Sequence, residues 1–183
     1  GATGSLAANA DLVIDGTAAT ISVAINDGGD GYINAEENSS VVISGTTSGV
    51  EDGQTVSIVV SDGSKTVKTS ASVVSNSYSV SSIDLSTLNE GTLTITADVS
   101  DFAGNAAVQA SNTTTKDISF PTVDAVYSST ANGSYGIGDV INLYVAFSEI
   151  VVGGTSGGTP ALQLETGSTD RYATYTSGRS SNT

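Results

Sequence analysis

Strict alternation of apolar and polar residues over 92–99 is the clearest local signal in this chain. Leu93, Ile95, Ala97 and Val99 share one face, and Thr92, Thr94, Thr96 and Asp98 the other. A period of two is that of a strand with one dry and one wet side. Val56, Ile58 and Val60 mark a second such strand. Ser61-Asp62-Gly63-Ser64 then turns the chain into residues 65–71, so this stretch predicts a hairpin. Ile21/Val23/Ile25, Val41/Ile43, residues 77–80 and Ala106/Val108/Ala110 bring the count to about seven short strands at sandwich-like spacing. No helical period competes over a useful length; residues 83–88 suit a single turn.

One boundary pattern occurs twice. Aligning Asp15 with Asp117 sets Ala19 against Pro121 and Ile21 against Val123. The pitch is about 100 residues, the size of an immunoglobulin-like module. The expected organisation is therefore 1–14 as the last strand of a preceding module or a linker, 15–116 as a complete module, and 117–183 as the first part of a second. The last piece offers strands at 123–127, 140–147, 150–152, 161–165 and 171–175. These are too few to close a seven-stranded sandwich, so the second module reads as truncated or split.

Composition narrows the chemistry. The 183 residues include no Cys, His, Met or Trp. Nucleophilic triads lack their usual base, and zinc or copper sites lack their usual ligands. Paired carboxylates exist at Glu36/Glu37 and Glu51/Asp52. A module of this size without Trp nevertheless offers no walled, aromatic-lined cleft for a glycosidase. The expectation is that the chain is not an enzyme. A net charge of −14, with only five basic residues, disfavours nucleic acid and direct membrane insertion.

Hard oxygen ligands remain, and they suit calcium. The run from Asn26 to Glu37 resembles a calcium loop in miniature: Asp30 falls at position 5, Gly31 at 6, the Tyr32 carbonyl at 7, Asn34 at 9 and Glu37 at 12. Position 1 is Asn, position 3 is Gly and the flanks are strands. A shorter cluster of Asp27, Asp30 and Glu37 therefore fits better than a true EF-hand, and the alternative is a solvated Gly/Asp turn. A second cluster, Asp101 to Asn105, precedes the last strand, where the alternative is an ordinary Asx turn. Asp15 and Asp117 sit at the module boundaries, where acids from two modules could share an ion or simply solvate a linker. The Thr92/Thr94/Thr96 face suggests ice binding only superficially, since one strand makes no flat array. Tyr127, Tyr135, Tyr144, Tyr172 and Tyr175 read as core or sheet-face residues rather than a sugar platform.

Taken together, four phrases resemble the tandem bacterial immunoglobulin-like repeats of giant calcium-dependent biofilm and RTX adhesins. They are the runs 30–37, 43–56, 82–95 and 99–105. Residues 117–183 resemble a related repeat through Gly138-Asp-Val-Ile, Phe147-Ser-Glu149 and the run 162–171. The resemblance implies an all-β tandem sandwich, calcium within and between modules, type I secretion to the bacterial surface, and neighbouring modules of the same chain as partners. It carries Asp15, Asp30, Asn34, Glu37, Asp101, Asn105 and Asp117 over as calcium ligands or their neighbours. The function implied is that of a calcium-rigidified extender supporting adhesion and biofilm formation. The alternative is a split module near the adhesin tip that binds a glycan or peptide ligand. Ala19 departs from the family's usual linker Pro.

Overall fold

A computed structural model describes residues 15–151 and 159–178. Residues 1–14, and the end of the strand expected at 150–152, lie outside the described residues. The chain divides into two compact units between Ser119 and Phe120. The described residues are all-β, and none forms a helix long and apolar enough to cross a membrane.

The first unit is a two-layer sandwich. In one layer β4 (Val41–Ser48) lies between β7 (Ser77–Ile83) and an interrupted edge made of β1 (Thr20–Ile21) and β2 (Ala24–Asn26). The other layer runs β3 (Tyr32–Ile33), β9 (Ala110–Lys116), β8 (Gly91–Asp98), β5 (Thr55–Ser61), β6 (Thr66–Ser72). Every pairing is antiparallel except β3 with β9. The chain thus leaves the first layer at Asn26, crosses the sandwich edge, and joins the second at Tyr32.

The alternating strands behave as their pattern dictates. Leu93, Ile95 and Ala97 of β8 and Val56, Ile58 and Val60 of β5 point inward against Ile33, Val41, Ile43, Tyr78 and Leu85. Each large aliphatic side chain so buried contributes about 1.5–3 kcal/mol. The expected hairpin is present as β5–β6, its turn closed by Asp62 N–H donating to the Lys65 carbonyl at 3.2 Å.

The last strand differs from expectation. Alternation at Ala106, Val108 and Ala110 pointed there, yet Val108 is 88% exposed and β9 begins only at Ala110. The inward positions of β9 include Thr114 and Lys116, which are buried polar residues. Thr114 Oγ1 donates to the Gly31 carbonyl at 3.0 Å, and the Lys116 ammonium crosses inward to the turn at 85–88. A strand whose inward residues are satisfied by hydrogen bonds rather than by apolar packing leaves no hydrophobic period to read.

The hydroxyl face is also broader than one strand. Register sets Thr94 beside Thr113 and Ser61, Ser61 beside Thr66, and Thr96 beside Ser111. Hydroxyls therefore recur on the outward side over β9, β8, β5 and β6, interrupted by Val59 and Lys68 in the row of Thr96.

In the second unit β10 (Val123–Ser128) pairs with β11 (Leu143–Phe147), and β12 (Ala161–Leu164) with β13 (Arg171–Thr174). These hairpins follow one another in the same order as β2–β4 and β5–β6, with a longer connection between them, 148–160 against 49–54. Tyr127 and Tyr144 are cross-strand partners, stacked at 5.3 Å and 19°. Both are more than a third exposed, so they are sheet-face rather than core residues.

Candidate functional site

Strand direction sorts the acids and amides of the first unit into two ends. β5 and β9 begin where β8 finishes, beside residues 98–105, and β4 finishes there too, next to Thr20. This is the end at which the chain enters from Asp15. At the other end lie Asn26, the turn after Ser61, Gly91 and Lys116, where the chain leaves for Asp117.

At the entry end Asp101 is buried, and its Oδ1 accepts the Asn105 N–H at 2.7 Å. Asn105 Nδ2 bridges Asp101 Oδ2 at 2.8 Å and the Asp15 carbonyl at 3.3 Å. The same turn is closed by Asp101 N–H donating to the Asn105 carbonyl at 3.0 Å, and Gly104 adopts φ 93°, which favours glycine. The Asn105 hydrogen bonds hold the Asp101 carboxyl below its usual range against the opposing pull of desolvation. Asp15 Oδ1 caps the Thr17 N–H at 2.8 Å. Three residues singled out from the sequence, Asp15, Asp101 and Asn105, are thus hydrogen-bonded together. A fourth was not singled out: Glu51 Oε2 accepts the Phe102 N–H at 2.8 Å. With Asp15, Thr17, Gly49, Val50 and Asn76 it lines an open hollow. Only its place in the Glu51-Asp52 pair hinted at this.

The loop from Asn26 to Glu37 is held closed by its own side chains. Asn34 Oδ1 accepts the N–H groups of Glu36 and Glu37 at 2.9 and 3.1 Å, and Glu37 Oε2 accepts Asn34 N–H at 3.1 Å. This reciprocal pair works like a capping box. Glu37 Oε1 reaches back over Gly28, so close that a Cβ there would lie 2.8 Å from it. Asp30 Oδ1 caps Tyr32 N–H at 2.9 Å. Asp27 Oδ1 caps Gly29 N–H at 3.1 Å, and its Oδ2 lies 3.3 Å from Thr114 Oγ1, a longer alternative to the Gly31 carbonyl for that one hydroxyl proton. Ile33 is fully buried and pins the loop to the core. Thr115 and Asp117 N–H take the Gly31 and Ile33 carbonyls, so strand alternation turns the Tyr32 carbonyl away from β9.

The donor chemistry is all oxygen, as a hard divalent cation requires. The carboxylates, however, spend their oxygens on nearby amides, and among the described residues no three acids converge into a metal-binding group. Asp117 caps Ser119 N–H at 3.1 Å and is not joined by a hydrogen bond to the loop acids.

No family model matches the chain, and no curated protein matches it. Solved structures do. One is a tetra-tandem repeat in the extending region of a large adhesion protein, at 24% identity and TM-score 0.50, covering 91% of this chain. This chain spans 40% of that structure's length. Another is a bacterial immunoglobulin-like domain from the M. primoryensis ice-binding adhesin, at 27% identity and TM-score 0.38, covering 55% of this chain and 99% of that domain. A third is a Ca2+-stabilized adhesin that helps an Antarctic bacterium reach out and bind ice, at 26% identity and TM-score 0.42, covering 61% of this chain and 27% of the other. In architecture, the chain is an all-β protein with the sandwich fold of tandem repeats in a large adhesin.

Proposed function

We propose that this chain is a calcium-rigidified extender segment of a bacterial surface adhesin, exported to the cell exterior and supporting adhesion and biofilm formation. In this reading residues 15–116 form one complete module, and 117–183 form the first part of a second, truncated or split. The observation that carries it is the sorting of oxygen donors to the two ends of the first unit, where the chain enters and leaves, while the sheet face between them carries mostly hydroxyls, with Lys68 and Val59 among them. The likeness in fold to an extending-region repeat supports the same reading.

At the entry end Asp15, Asp101 and Asn105, together with Glu51, would hold a calcium ion. At the exit end the holders would be Asp27, Asp30, Asn34, Glu37 and the Tyr32 carbonyl, with Asp117 nearby. The ion supplies six to eight oxygen contacts that repelling carboxylates cannot make to one another. Rotating the Asn105 amide, whose Nδ2 now bridges two oxygens, would present its Oδ1 instead. The protein's own part is to hold these oxygens on short, hydrogen-bonded turns, so that little ordering remains when the ion binds.

Small-angle scattering and thermal unfolding with calcium and with chelator test this. Ligand at ten times its dissociation constant adds about 1.4 kcal/mol per site, or roughly 5–10 °C for a unit of this size. Identical scattering profiles and identical melting in the two conditions would refute the reading.

A further inference from the structure

The exit end holds a second device, built from a cation that the chain itself carries. Lys116 ends β9, flanked by Ile33 of β3 on one side and Gly91 of β8 on the other. Its side chain is 1% exposed. The ammonium donates to the Leu85 carbonyl at 2.8 Å and the Leu88 carbonyl at 2.7 Å, with the Ser86 carbonyl at 3.5 Å. Three carbonyls of one tight turn therefore face a single fixed positive charge. Two residues after that turn, Glu90 reaches the departing chain: Oε1 accepts Ile118 N–H at 3.0 Å and Ser119 Oγ at 3.1 Å. Between them Asp117 N–H donates to the Ile33 carbonyl at 3.0 Å. Residues 116, 117 and 118 are thus each tied to a different anchor.

We propose that Lys116 and Glu90 form a calcium-independent clamp that fixes the course of residues 117–119 as the chain leaves the first unit. Lys116 positions the 85–88 turn by drawing its carbonyls onto the ammonium. The turn in turn positions Glu90, and Glu90 holds the Ile118 amide. All the charge and hydrogen-bonding partners in this chain of contacts belong to the polypeptide, so chelation leaves them in place. Neither Lys116 nor Glu90 belongs to the proposed calcium sites; the one shared contact is the Asp117 amide, which bonds to Ile33 within the 26–37 loop, so the Ile118 amide is the readout that separates the two.

Hydrogen exchange on the intact 183-residue chain, with calcium and with excess chelator, tests it. The expected result is slow exchange of the Ile118 amide in both conditions. Glu90→Ala keeps the fold, because it truncates an exposed side chain, and by removing the acceptor should speed exchange at Ile118 at least tenfold whether or not calcium is present. Lys116→Met should speed exchange at Ile118 and loosen the 85–88 turn, whereas Lys116→Arg should retain most of the protection. Protection at Ile118 that vanishes with chelator in the unaltered chain would overturn the proposal. So would an Ile118 amide indifferent to Glu90→Ala.

Discussion

Gly45→Ala examines the packing that closes the four-stranded layer. Gly45 sits within β4 directly opposite Tyr78 of β7. The buried Tyr78 ring lies across the glycine, and its hydroxyl donates to the Ser22 carbonyl at 2.6 Å on the far side of β4. Burial pushes that phenol's pKa up to about 12, so it stays a donor throughout the working range. A Cβ at position 45 would lie 2.6 Å from Tyr78 Oη and 2.7 Å from Cε1, and would overlap the Ser22 carbonyl oxygen. The last neighbour is backbone. It is fixed by Ser22 N–H donating to Thr46 O and by Thr46 N–H donating to Ser22 Oγ, each at 2.9 Å. No rotamer change relieves it, so the edge segment must move off β4 and release the tyrosine. Overpacking of this kind costs about 1–3 kcal/mol, and the hydroxyl of the buried Tyr78 left without its acceptor about 1–3 more. The expected loss is roughly 4 kcal/mol, or about 15–30 °C in a unit of this size. Tyr78→Phe removes only the hydrogen bond and should cost about 1–2 kcal/mol. Thermal unfolding followed by circular dichroism at fixed calcium separates the two. A Gly45→Ala chain that melts within about 3 °C of the original would refute the argument.

Other outcomes follow from the same geometry. Leu93→Ala removes a fully buried side chain and should cost about 3–5 kcal/mol in chemical denaturation, against a few tenths for Thr94→Ala on the wet face. Three backbone N–H groups, from Asn89, Lys65 and Ser64, pull the Asp62 carboxyl from 3.8 down to about 2, and Ser86 lowers Asp84. Both carboxyls bind a proton less readily when folded. The Asp62 contribution is therefore complete above about pH 5 and lost as pH falls through about 4 toward 2, and that of Asp84 is lost in the same direction. Acid titration of Asp62→Asn should show a shallower decline over that window. Asp101→Asn should reduce the calcium-dependent gain in melting temperature, read by calorimetry with and without chelator. An unchanged gain would remove Asp101 from the ion's ligands.

Much of the fold was legible in the chain because most strands keep dry and wet faces by alternation. Thr92 to Asp98, Val56 to Val60 and the Asp62-Gly63 turn were read correctly for that reason. The turn from Asp101 to Asn105 was legible in residue type, since a turn rich in Asp, Gly and Asn announces its own hydrogen bonds, but that Asp15 joins it was not. Which neighbour such a turn meets was not legible. Glu51 lies fifty residues from Asp101, and only the packing of the β4–β5 connection against the Asp101 turn brings them together.

What the sequence determined by itself was strand period, turn chemistry and an inventory of hard oxygen donors, all properties of residues close together along the chain. The tertiary structure alone decided that β9 spans 110–116, that a lysine lies in the interior, and that hydroxyls from four strands share one face. Those outcomes depend on contacts between distant segments. A buried ammonium becomes tolerable only when three carbonyls from another loop are already in position, and no local pattern records that they will be.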